Sequence, residues 1–454
     1  MGNQFTTLTT VIPRTGILRT LVILLVVSTT ITTTNAINWN CGISHNSGTF
    51  TRQDDCTLTS WEIQLSADLS ITGRDTLTTI SAKPLTGAQT FTRHFNLAIR
   101  LQVGDPFLTL TLTKLRLIGG IGGSLKTESY KHSRGGSIYC NGPAIVRTFD
   151  SLFEGQSAYF GGTLYGYSGC HIFLTRTNII SSTSTNIGNG HGSGGAIYIQ
   201  TNYEDRLDLG DTHAQMLADT TNSGNRRSKL DIDGGYFSNN IGSGSGVINA
   251  YNADVVIKDA VFESNTASGS GGVLMMNMGD LTTTGTKFRN NTSGANGGVM
   301  NLRSGSNNNG VLAHMNDPKT WTISDSTFEY NLAGNRGGAI SHDIISGDNV
   351  QSNLNLNQCM FRGNRQTTEV WAVRGIYLHH TSTTDPFSTD QNGDVFAEKV
   401  SSSSSFSCQY FFLVYMLRFT HSFFCLPPFS LSKLKQKTTM EEVLYILKKK
   451  YMLR

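Results

Sequence analysis

Between residues 228 and 366 apolar and polar positions alternate in short bursts, each ending at a phenylalanine. The bursts are Leu230-Asp-Ile232 before Phe237, Val255-Val-Ile257 before Phe262, Leu281-Thr-Thr283 before Phe288, Trp321-Thr-Ile323 before Phe328, and Leu354-Asn-Leu356 before Phe361. The positions seven and five residues ahead of each Phe are apolar, Thr283 being the exception. Alternation with period two marks a strand with one buried face. Three residues after each Phe stands an Asn: Asn240, Asn265, Asn291, Asn331 and Asn364. In three bursts a glycine pair begins six residues after the Asn: Gly271-Gly272, Gly297-Gly298 and Gly337-Gly338. A small or branched residue and an apolar one follow each pair, as in Val273-Leu274.

Looser copies precede these, with Gln156 at the Asn position after Phe153 and glycine pairs at 135, 161 and 194. Glycine pairs lie 26 residues apart from 135 to 161 and from 271 to 297. A unit this short, built of strands and turns, cannot bury its own core; stacked units can. The pattern predicts an all-β chain, a right-handed single-stranded parallel β-helix of roughly ten coils, about 50 Å long at the usual rung spacing. The apolar pair and the Phe fill the interior. The Asn sits at a bend, where stacked amides bond to one another. The glycine pair permits positive φ and close backbone approach at the next corner. Residues 58–125 alternate in the same way without the glycine pair, and the polar stretches 201–228 and 303–319 should project as loops.

The alternation of F-x-x-N with G-G-[AVST]-[ILM] resembles the repeats of the chlamydial polymorphic outer membrane protein family, within the pectate-lyase-like β-helix group. The matching positions are Phe262, Asn265, Gly271 and Gly272, then Phe288, Asn291, Gly297 and Gly298, then Phe328, Asn331, Gly337 and Gly338. The resemblance is clearest over 130–365 and implies export, surface display and adhesion. The bacterial members end in a membrane barrel, and the residues after 365 hold no run of alternating segments that would build one.

Composition divides the chain. Residues 1–36 place Arg14 and Arg19 before the apolar run Leu21–Val27 and a Thr-rich end, the pattern of a secretory signal peptide. Residues 37–57 read as an amino-terminal cap and 58–399 as the β-helix. Residues 400–454 read as an aberrant tail, with a weak candidate membrane segment over 406–417. The formal charge is +4; removing +2 for the leader and +6 for the Lys-rich end leaves −4 for 37–399. A mildly acidic body without a basic stripe excludes nucleic acid as partner. In an oxidising compartment Cys41 and Cys56 would staple the first turn, and Cys359 reads as an inward-facing apolar residue. No metal-ligand spacing is present and no cofactor is implied.

Catalysis has little support. Gly190-His191-Gly192 resembles one short motif of polygalacturonases, which makes His191 a weak catalytic candidate. The paired carboxylates that glycoside hydrolysis needs are missing from its companions. Asn290 and Asn291 head overlapping sequons; Asn291 belongs to the ladder, so Asn290 is the glycosylation candidate in a eukaryotic host. The expectation is a secreted or cell-surface binding protein, outer membrane or extracellular. Its partner would be a protein or glycan of a host or neighbouring cell, with membrane association through either end. A polysaccharide-modifying enzyme and a purely structural surface protein are the alternatives.

Overall fold

The structure is a computed structural model that describes residues 37–86, 90–98, 108–123, 133–185, 193–201, 227–304, 319–344, 352–367, 376–380 and 422–424. From Ala144 on, each coil contributes one strand to each of four walls; among the described residues the earlier coils contribute to the first, second and fourth only. One coil runs Asp254–Lys258 on the first wall, Val261–Glu263 on the second, Thr266–Ala267 on the third and Leu274–Asn277 on the fourth. Successive coils pair in parallel and in order; among the described residues the first to fourth walls hold 11, 11, 7 and 10 strands, the last strand of the second wall being antiparallel. The chain is thus a right-handed parallel β-helix.

The interior follows from the alternation. Val255 and Ile257 point inward and stack on Leu230 and Ile232 below and on Leu281 and Thr283 above. Phe237, Phe262, Phe288, Phe328 and Phe361 form a continuous column with centroids 4.7–5.3 Å apart. Rings held in offset stacks at rung spacing bury large apolar area with favourable ring contact. Thr283, the polar exception, also points inward, and its hydroxyl has no hydrogen-bond partner.

The bend between second and third walls holds the amides. Asn265 Nδ2 donates to the Phe237 carbonyl (2.9 Å) and to Asn291 Oδ1 (3.0 Å). Its own Oδ1 accepts from the backbone N–H (3.1 Å) and Nδ2 (2.9 Å) of Asn240. The same bonds carry the ladder through Asn331 to Asn364. The residue before each ladder Asn is left-handed, as at Asn239, Ser264, Asn290 and Tyr330, with φ of 55–56°. Asn and Ser tolerate that region; Tyr is rare in it.

The two glycines of a pair divide the work. Gly271, Gly297 and Gly337 have φ of 60–75°. The second glycine makes the close approach: a Cβ on Gly272 would lie 2.1 Å from the Gly298 carbonyl oxygen.

At the amino-terminal end, Ile37–Asn38 and Gly48–Thr51 pair as the first strands of the first wall. Cys56–Thr57 begins the second wall. At the other end, Ser422–Phe424 pairs antiparallel with Met360–Arg362. The leader, the 406–417 segment and His191 lie outside the described residues.

Candidate binding wall

The corners of the coil are unequal, and that inequality singles out one wall. Between first and second walls, and between second and third, the turns from residue 144 onward are tight, as at Asp259-Ala260 and Ser264-Asn265. The long connections leave from the two corners that flank the fourth wall. Before it, residues 185–196 separate Thr183–Ser184 from Ile197–Gln200, where residues 268–273 suffice between Thr266–Ala267 and Leu274–Asn277. After it, residues 201–228 separate Ile197–Gln200 from Lys229–Asp233 and residues 305–318 separate Met300–Ser304 from Lys319–Ser324, where residues 252–253 suffice between Ile248–Tyr251 and Asp254–Lys258. Insertions at corners leave the stacked core intact, so they collect where a fold carries its variable function.

The outward positions of this wall differ from those of the others. One register column runs Asn96, Tyr139, Tyr165, Tyr198, Asn249, Met275, Asn301 and Ser341. Tyr139 and Tyr165 stack at 5.5 Å, Tyr165 and Tyr198 at 5.3 Å. The Arg134 guanidinium lies 4.8 Å from the Tyr165 ring centre, a cation–π contact. Burial pushes the Tyr165 and Tyr198 phenols up, so neither ionises near neutrality. Beside this column runs a second, more accessible one, with Asn141, Gln200, Tyr251 and Arg303 half-buried.

Several groups on the wall are closed in without partners. Asn249 is fully buried and neither its amide nitrogen nor its oxygen is bonded; Asn301 Oδ1 and Ser341 Oγ are likewise unpaired. An unpaired buried polar group costs about 1–3 kcal/mol, and native proteins keep few of them. Water or ligand groups would complete the bonding of these atoms, as they would for Thr283 on the first wall and Ser293 on the third.

No family model matches this chain, and no curated protein or solved structure does either. The assignment of a site therefore rests on its geometry.

The geometry offers one arrangement reminiscent of a nucleophile and its base. Ser137 Oγ lies 2.9 Å from His94 Nδ1, and His94 Nε2 lies 3.1 Å from the Ile80 carbonyl oxygen. Both residues are fully buried. Burial holds the His94 imidazole at about 4, well below its ordinary value. A pair that no substrate can reach is a packing element: His94 stands in register below Ser137, at the corner position that Val247, Val273 and Val299 fill higher up. Among the described residues no cluster of His, Cys, Asp and Glu could hold a metal ion.

The sequence-assigned positions take their places as follows. Phe237, Phe262, Phe288, Phe328 and Phe361 are interior. Asn291 is fully buried in the ladder, whereas the adjacent Asn290 is exposed at its left-handed corner. Cys41 and Cys56 form a disulfide. Cys140 and Cys170 form a second, which sequence spacing had not suggested. Cys359 is a buried thiol outside the two disulfides and donates to the Ile323 carbonyl at 3.4 Å. The tyrosine column also escaped the sequence reading. Its signal was present, because Tyr139 and Tyr165 each stand four residues after the first glycine of a pair, as does Tyr198.

Proposed function

We propose that this chain is a secreted or surface-displayed β-helix that binds its partner through the fourth wall and performs no catalysis. The observation that carries the reading is the placement of the long connections between strands on both sides of that wall. Its accessible column, with Asn141, Gln200, Tyr251 and Arg303 half-buried, suits a protein or glycan surface on a host or neighbouring cell: the Tyr251 ring meets apolar patches, and the amides and guanidinium meet hydroxyls or peptide groups. Two disulfides support an oxidising compartment, in keeping with export. Among the described residues no helix is long and apolar enough to cross a membrane. The resemblance of the repeat to that of polymorphic outer membrane proteins suggests adhesion as the biological context. Binding per coil would be weak and would gain from several copies on one surface.

The test pairs retention with turnover. Purified protein is applied to cells and glycan arrays, alongside Tyr251→Ala and Gln200→Ala. Retention should fall at least tenfold in the variants while their β-sheet circular dichroism is unchanged. The same protein is incubated with a polysaccharide panel and assayed for new chain ends. Turnover abolished by His191→Ala would replace this reading with the enzymatic one.

A further inference from the structure

A different wall carries an independent inference. On the second wall one outward column reads Glu263, Arg289, Glu329 and Arg362 on four successive rungs, each Cα-paired with the next. Arg289 and Arg362 are exposed, and Glu263 and Glu329 are half-buried. The charge order is antisymmetric: read from the other end, every acid becomes a base. Arg289 Nε pairs with Glu263 at 2.7 Å within the chain. Among the described residues the Glu329 carboxylate has no ion-pair partner, and the Arg362 guanidinium lies over the Tyr330 ring at 5.5 Å. One acid and one base of the column are therefore uncommitted to each other.

We propose that this wall is a self-association surface on which a second copy of the chain docks antiparallel. A two-fold axis parallel to the strands, passing between the rungs of Arg289 and Glu329, places Glu329 of each copy opposite Arg289 of the other. The same axis places Glu263 opposite Arg362. An isologous contact requires this reciprocity, and a column of one residue per rung supplies it without any shift in register. The neighbouring outward column agrees. Val261, Lys287, Thr327 and Met360 occupy the same four rungs, so the apolar Val261 meets Met360 and Lys287 meets the neutral Thr327. Tyr330, 49% exposed at its strained corner, falls opposite the Asn290 corner of the second copy. A parallel arrangement in the same register would oppose like charges on every rung, so the pattern selects one orientation as well as one partner. Four rungs make a small interface, so the association is weak and sensitive to salt.

Sedimentation of the full chain over a concentration series at low and high salt tests this. The expected result is a monomer–dimer equilibrium at low salt that weakens at least tenfold at high salt. Arg289→Glu and Glu329→Arg should each weaken dimerisation at least tenfold, because each sets like charges against one another twice across the axis. An equimolar mixture of the two variants should restore a dimer, since every central pair is then again an acid facing a base. The double variant Arg289→Glu/Glu329→Arg should dimerise by itself, although it loses the in-chain pair with Glu263. A wild-type chain that stays monomeric at low salt would overturn the proposal. So would single variants that still dimerise, or a mixture that does not.

Discussion

At the scale of single residues, the interior holds one group whose protonation the fold opposes. His94 is fully buried, bonded to Ser137 and to the Ile80 carbonyl, and held at about 4 against an ordinary 6.5. Both states are neutral above pH 6.5, so the shift has no effect there. As pH falls from about 6.5 towards 4, the unfolded chain takes up a proton that the folded chain refuses, and stability is lost; below 4 the loss is constant. The loss amounts to about 3 kcal/mol by linkage. His94→Gln should remove most of that slope in urea unfolding curves taken at pH 7 and pH 4.5. An unchanged acid slope in the variant would place the titrating group elsewhere. Nothing in the sequence marks His94 as buried, because it occupies a corner position that other coils fill with Ser, Thr, Ala or Val.

At the scale of the element, the ladder shows why part of the fold was legible. Asn240, Asn265, Asn291, Asn331 and Asn364 recur at one offset from a Phe because each amide must meet the next, and no other side chain offers two donors and an acceptor at that reach. In the earlier coils the same corner is met by a mixed set: Gln156 Nε2 donates to the Leu117 carbonyl at 2.7 Å, and Ser182 donates its backbone N–H to Asn240 Oδ1 at 2.9 Å. Different side chains satisfy the same bend, so the repeat fades there though the fold does not. The fourth wall was less legible again, since outward positions are free to vary once the inward ones are fixed. Asn291→Ala should cost about 1–3 kcal/mol, because the Asn265 amide and the Phe262 carbonyl lose their partners in a dry interior. Thr282→Ala, exposed on the first wall, should change stability by less than about 0.5 kcal/mol. Chemical denaturation of the two variants checks the contrast; equal losses would remove the ladder from the account of stability.

At the scale of the whole molecule, the two halves of the solenoid are held by different means. From Asn240 onward the amide ladder and the phenylalanine column run without a break. Before that point both are interrupted, and both disulfides lie there. Cys140 and Cys170, separated by 30 residues, tie one coil to the next. That link was invisible in the sequence, because only rung stacking brings the two cysteines together. Closing a loop of that length removes about 3–4 kcal/mol of chain entropy from the unfolded state. In a solenoid, where each coil contacts only its neighbours, that contribution acts locally and does not spread along the axis. Reduction, or Cys140→Ser with Cys170→Ser, should therefore speed hydrogen exchange in Ile138–Asn141, Leu164–Tyr167 and His171–Thr175. The amides of Asn265, Asn291 and Asn331 should keep their protection under the same conditions. Uniform acceleration along the whole chain would instead show one cooperative unit, and the division between a stapled half and a laddered half would fall.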